Sequence, residues 1–150
     1  MKNLWTKAWH GLERQNIAWL WTVAENDSSE WTHEIKTFCS LLKRIQSERL
    51  TFIELGAGWG EWCLAATGIV RSGETKVKSV HCIAVEAEPT HFMWLKESFA
   101  HNKIEGDLIE AVVSNKSGRE KFLLSPNPAT HYGQCSVSFL KSLTSSILGD

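Results

Sequence analysis

The chain has 150 residues, a formal net charge of −1 and four widely spaced cysteines. This length predicts one domain with its own core, and the balanced charge excludes the basic surface that a duplex nucleic-acid binder needs. Without a CxxC pair, the cysteines are expected to be free thiols, and we expect a cytoplasmic protein. The longest early apolar run, Ile17–Ala24, is too short to cross a bilayer, and the histidines lack metal-ligand spacing. We therefore expect no nucleic acid, membrane or metal partner.

Residues 1–48 are predicted to form an N-terminal helical segment packed on the rest of the domain. Residues 3–23 have helical spacing and, with Trp31, hold five tryptophans, which either pack between helices or offer a stacking surface. A capping box at Asp27 and Glu30 predicts the start of an amphipathic helix that ends near Glu48. Its apolar stripe follows helical spacing: Trp31, Ile35, Phe38, Leu42 and Ile45.

Residues 49–150 alternate between strand and helix patterns. The predicted strands are Leu50–Leu55, Val80–Val85 and Leu108–Val113, and the predicted helices are Glu61–Val70 and Phe92–His101. This order predicts an α/β fold, with a Rossmann-like, doubly wound and mostly parallel sheet. Two further short strands are predicted later in the chain, at Glu120–Leu124 and Ser136–Leu140.

The string ELGAGWGEW, residues 54–62, separates the first predicted strand from the next helix. Its glycines have GxGxG spacing, which lets a backbone turn sharply and approach a ligand: Gly56, Gly58 and Gly60. Glu54 and Glu61 flank the turn, and their charges oppose a pyrophosphate. A cationic ligand without phosphate, such as S-adenosylmethionine, suits the turn better. Its carboxylate is expected to use N–H groups at the turn and at the helix start.

Glu86 ends the second predicted strand, in the string VEAEP. Neighbouring parallel strands end at the same edge of the sheet, so Glu86 is expected beside the glycine turn. There its carboxylate can accept both hydroxyls of a ribose; the alternative is a solvated loop acid. The first interpretation predicts that Glu86 contributes to binding and little to the stability of the free protein. Trp59 either walls the ligand pocket or packs against the N-terminal helices.

Three strings together resemble class I S-adenosylmethionine-dependent methyltransferases, and their order is most similar to the FkbM family. They are FIELGAGWG, AVEAEP followed by LKESFAHN, and AVVSNKSGREKFLL, within residues 50–125. The matching positions are Glu54, Gly56, Gly58, Glu86, Pro89, Asn102, Ser114 and Gly118. Ala87 stands where the family usually has proline. The resemblance implies the cofactor-binding half of such an enzyme, with S-adenosylmethionine as cofactor and a hydroxyl oxygen of a small molecule or glycan as acceptor. The implied cofactor-binding residues are Glu54, Gly56, Gly58, Trp59, Gly60, Glu86, Ala87 and Ser114.

The family's fourth strand, with its Asp and following Glu-Gly pair, has no counterpart before Asp150. The first strand is then expected at a sheet edge. Either Ser136–Leu140 folds back to cover this edge, or a second copy or a complementing chain covers it, or the chain alone is poorly soluble. The chain is interpreted as a methyltransferase if complete or complemented, with no residue assigned as catalytic. Two alternatives stay open: a non-catalytic cofactor-binding or interaction module of the same fold, and an NAD-dependent oxidoreductase, which the GxGxG spacing and the acids disfavour.

Overall fold

The computed structural model describes residues 30–128 of the chain. In this range three helices and three strands make an α/β unit: α1 (Glu30–Leu42), β1 (Arg49–Leu55), α2 (Glu61–Arg71), β2 (Ser79–Glu86), α3 (Pro89–Asn102) and β3 (Gly106–Glu110). None of these helices combines the length and the apolar character that a membrane crossing requires. The predicted helices in residues 3–23, the Asp27 cap and the predicted strand Ser136–Leu140 lie outside the described residues.

The three strands form a parallel sheet in the order β1-β2-β3. A helix separates each strand from the next, as the connection between parallel neighbours requires. The register pairs Leu55 with Val85 and Cys82 with Gly106. At Gly106 a Cβ atom would lie 2.1 Å from the carbonyl oxygen of Cys82. Glycine is therefore required for β3 to approach β2.

All three helices pack on one face of the sheet. Phe52, Cys82 and Ala84 point towards this face and join cores that include Leu64 of α2 and Leu95 of α3. On the opposite face, Ile53 and Leu55 are 57% and 61% exposed. Within residues 30–128, β1 pairs only with β2. In the described part of the chain, β1 therefore forms one edge of the sheet and carries exposed apolar side chains.

Several predicted boundaries differ from the structure. The first amphipathic helix ends at Leu42 and not near Glu48, because the N–H groups of Arg44 and Ile45 donate to carbonyls three residues earlier, which tightens the last turn. β3 spans Gly106–Glu110, since its neighbour β2 ends at Glu86 and offers no partner beyond that point. The predicted strand at residues 120–124 is reduced to an isolated β-bridge at the half-buried Phe122, and the residues on both sides of it are irregular.

Candidate functional site

The glycine turn at residues 56–60 folds back onto the end of the neighbouring strand. All three of its glycines have left-handed φ angles: Gly56 at 72°, Gly58 at 56° and Gly60 at 89°. Side chains strongly disfavour this conformation, which explains the alternating glycines. The N–H groups of Gly56 and Ala57 both donate to the carbonyl oxygen of Val85, at 2.9 Å each. The turn is thus held against β2 through its backbone.

Glu54, at the end of β1, caps helix α2. Its carboxylate accepts hydrogen bonds from the N–H groups of Trp62, at 3.2 Å, and Cys63, at 2.9 Å. The residue in the N-cap position, Gly60, has no side chain for this purpose. Burial raises the pKa of Glu54 above its ordinary value even though these hydrogen bonds oppose the rise, and the nearby Glu86 charge raises it further.

Glu86, at the end of β2, joins the two strand-to-helix connections. One carboxylate oxygen accepts the N–H of Gly58 at 2.7 Å, and the other accepts those of Ala87 at 2.9 Å and Glu88 at 2.8 Å. Only 7% of the residue is exposed. Glu86 therefore has a structural role that the sequence did not predict, because three backbone donors, two of them in buried residues, bond to it.

The two carboxylates also change the expected role of the backbone donors. We expected N–H groups at the turn and the helix start to hold the carboxylate of a ligand. In the structure, Gly58 donates to Glu86, while Trp62 and Cys63 donate to Glu54. These three donors are already used within the chain. A ligand at this turn would therefore meet the carboxylate oxygens of Glu54 and Glu86 and not these N–H groups.

A pocket of about 660 Å³ lies at the carboxyl ends of β2 and β3, where Ala87, the residue after Glu86, forms part of its wall. Two residues expected to bind cofactor, Ala87 and Ser114, line it. Its wall also includes four charged residues that sequence reasoning missed: Glu110, Lys116, Arg119 and Glu120. The available signal was their place directly after β3, since ligands of α/β sheets bind beyond the carboxyl ends of the strands.

The other two expected cofactor residues have packing roles. Trp59 is 4% exposed and belongs to the core that contains Ile35 of α1. Its side chain therefore packs against an N-terminal helix, which is the second of the two roles expected for it. At Gly60, a Cβ atom would lie 2.7 Å from Cδ1 of Leu95 and 3.1 Å from Cε2 of Phe99. Gly60 therefore lets the turn sit against α3. The structure brings Glu54, Gly56, Gly58 and Glu86 together at the carboxyl ends of β1 and β2, and it places the Trp59 side chain in the core.

The thiols of the described residues are buried structural groups. Cys39, Cys63 and Cys82 are free cysteines with little or no exposed surface. Burial raises the pKa of Cys39 to about 11. A hydrogen bond to Cys82, and then burial, raises the pKa of Cys63. Among residues 30–128, no group of three or more His, Cys, Asp or Glu side chains is arranged to hold a metal ion.

No family model, no curated protein and no solved structure matches the chain. The resemblance to methyltransferases therefore rests on the sequence motifs alone.

Proposed function

We propose that this chain binds S-adenosylmethionine at the carboxyl edge of β1 and β2, in a Rossmann-like fold of the class I methyltransferase type. The observation that carries the proposal is the pair of buried carboxylates beside the glycine turn. Glu54 and Glu86 accept the N–H groups of Gly58, Trp62 and Cys63. A pyrophosphate needs such donors and would meet negative charge instead. A cationic ligand without phosphate gains from the same charge.

The acceptor capacity of Glu86 supports one hydrogen bond to a ribose. A carboxylate has about four acceptor positions, and three of them take backbone N–H groups here. The oxygen bonded only to Gly58 keeps one position for a ribose hydroxyl. The bidentate contact to both hydroxyls that we expected from the sequence would require the Gly58 N–H to release Glu86.

The adjacent pocket supports the nucleoside end of the same ligand. Its volume of about 660 Å³ lies within the range of roughly 300–1,000 Å³ that is usual for small-molecule sites. Ala87 lines it and also donates its N–H to Glu86, so the pocket begins where the proposed ribose contact is made. When bound, S-adenosylmethionine supplies an electrophilic methyl group on a sulfonium. The described residues would bind and orient it.

Ligand-dependent melting of the full chain tests the proposal. S-adenosylhomocysteine at about 100 times its Kd should stabilise the folded protein by about 2.7 kcal/mol. Each kcal/mol of stabilisation raises Tm by about 2–4 °C in a chain near this size. NAD, which carries a pyrophosphate, should give no rise. A rise with NAD alone would favour the oxidoreductase alternative and contradict our proposal.

A matched pair of glycine substitutions separates binding from folding. Gly58 and Gly73 lie at opposite ends of α2, and both have left-handed φ angles, 56° and 76°. Gly58→Val should abolish detectable binding of S-adenosylhomocysteine, whereas Gly73→Val should leave the affinity unchanged. Both proteins should keep a far-UV circular dichroism spectrum near wild type. Normal binding by Gly58→Val would show that the ligand does not pass over this turn.

A non-catalytic module of the same fold is the second candidate. The backbone hydrogen bonds of Glu54 and Glu86 favour it, because they give both carboxylates a structural role. Saturable binding of S-adenosylhomocysteine without methyl transfer to hydroxyl-bearing small molecules or glycans would favour the module. Transfer to any of these acceptors would establish the enzyme.

We also propose that a second chain covers β1, either another copy or a complementing chain. The exposed Ile53 and Leu55 support this, because both faces of a parallel sheet are normally buried. Sedimentation at micromolar concentration should show species larger than a monomer. A single sharp monomer boundary would contradict the proposal.

A further inference from the structure

Glu110, the last residue of β3, is the register partner of Glu86 in the parallel sheet. Register partners share a face of the sheet, and the preceding pair on this face, Ala84 and Leu108, packs against the helices. The backbone is fixed here, because the N–H of Ala111 donates to the carbonyl oxygen of Glu86 at 3.0 Å. Since neighbouring strands lie about 4.8 Å apart, a second acid stands beside the one proposed to contact the ribose.

Glu110 differs from Glu86 in its exposure and in its partners. It is exposed and lines the pocket at the carboxyl ends of β2 and β3, whereas Glu86 is 7% exposed. Within residues 30–128, the carboxylate of Glu110 takes part in no hydrogen bond or ion pair, although Lys116 and Arg119 line the same pocket. Its acceptor positions therefore face the pocket without a competing contact inside the described part of the chain.

We propose that Glu110 is a specificity-determining residue of the candidate site: it accepts one ribose hydroxyl while Glu86 accepts the other. This assignment rests on the proposed function. Glu86 keeps a single acceptor position, so it can serve one hydroxyl and not both. Glu110 supplies the second acceptor, and the Gly58 N–H stays bonded to Glu86. In the free protein the two like charges on neighbouring strands repel each other, because no ligand donor lies between them.

Thermal unfolding of the free chain tests whether the two charges face each other. Glu110→Gln removes one charge and keeps the size of the side chain, so Tm should rise by about 0.5–4 °C. In a Glu86→Gln background the same substitution should give a smaller rise, because no second charge remains. Glu105→Gln, just before the other end of β3, is the matched control and should give no rise. An unchanged or lower Tm in Glu110→Gln would overturn the proposal.

Ligands that lack one hydroxyl test the ribose contact itself. S-adenosylhomocysteine and its 2′-deoxy and 3′-deoxy analogues are titrated against the full chain. Glu110→Ala should bind S-adenosylhomocysteine about three- to tenfold more weakly, as expected for the loss of one hydrogen bond. In this variant, removal of the hydroxyl that Glu110 accepts should cause no further loss, whereas removal of the other hydroxyl should still weaken binding. Glu105→Ala should keep the wild-type affinity for all three ligands.

The outcomes separate this inference from the proposed function. If Glu110→Ala binds S-adenosylhomocysteine as tightly as wild type does, the role of Glu110 is refuted and the proposed function stands. An equal loss for all three ligands would also refute it, because Glu110 would then act through its charge and not through a hydroxyl. If the wild-type chain binds none of the three, the proposed function fails and the ligand contact of Glu110 fails with it.

Discussion

The two strand-to-helix connections at the carboxyl edge of the sheet satisfy the N–H groups at the start of their helices in different ways. Between β2 and α3 there are only two residues, and α3 has a local cap: Glu88 accepts the N–H of His91, and Pro89 begins the helix. Between β1 and α2 there are five residues, with no capping side chain at Gly60. There Glu54 and Glu86 supply the acceptors from the ends of the two strands.

This difference separates a connection that only joins two elements from one that shapes a site. A local cap stabilises its own helix and needs no neighbour. The glycine turn depends on carboxylates outside it, and those carboxylates place negative charge where phosphate-binding turns present bare N–H groups. Under the proposed function, the preference of the turn for a cationic ligand would come from the same carboxylates that hold its shape.

The largest effect is expected where the glycine turn meets α3. Gly60→Ala places a Cβ on a residue with a left-handed φ angle, which costs about 1–2 kcal/mol of stability. The same Cβ would be pressed against Leu95, which costs about 1–3 kcal/mol more. Gly56→Ala carries only the first contribution, because no atom lies within 4 Å of the place that its Cβ would take. In urea unfolding, the free energy of unfolding of Gly60→Ala should therefore be well below that of Gly56→Ala. Equal losses would show that the turn does not need this close packing.

Removing the carboxylate that joins the two connections should come next. Glu86→Ala leaves the N–H groups of Gly58, Ala87 and Glu88 without their acceptor, and we expect a loss of about 2–4 kcal/mol in the free energy of unfolding. Glu86→Gln keeps one carbonyl oxygen and should lie between wild type and the alanine variant. An alanine variant as stable as wild type would return Glu86 to a purely ligand-binding role.

The local cap of α3 should contribute less. Glu88→Ala removes the acceptor of the His91 N–H, and loss of a cap usually costs about 1 kcal/mol. Glu97→Ala, in the middle of the same helix, is the matched control and should change the free energy of unfolding by less than about 0.5 kcal/mol. If the two variants lose the same stability, the cap at Glu88 has no special role.

The smallest expected effect is on the pH dependence of the free energy of unfolding. The pKa of Glu54 is raised above its ordinary 4.5 by burial, so the folded chain holds this proton more tightly than the unfolded chain. The stability from Glu54 is complete below that ordinary value and is lost as the pH rises through the folded pKa. Wild type should therefore lose stability relative to Glu54→Gln from acid to neutral pH. Parallel curves in urea titrations would contradict this.

How much of this could be predicted from the sequence depends on the range of the contact. The three strands, the helices α2 and α3, the turn and the meeting of Glu54 with Glu86 follow from periodicity and from the edge that parallel strands share. The boundaries of α1 and β3 could not be predicted in this way, because they depend on which backbone partners the terminal residues find. The hydrogen bond between His91 and Pro128 joins residues 37 positions apart. No local pattern marks such a pair.

The glycine turn also has a consequence for the order in which this protein folds. Gly56, Ala57 and Gly58 donate to Val85 and Glu86, about 30 residues further along the chain. The turn cannot reach its final shape before β2 has paired with β1, and parallel pairing must first close a long loop. The local helices can form earlier, whereas the site is assembled late. A nascent chain that has not yet released β2 from the ribosome would therefore have no binding turn.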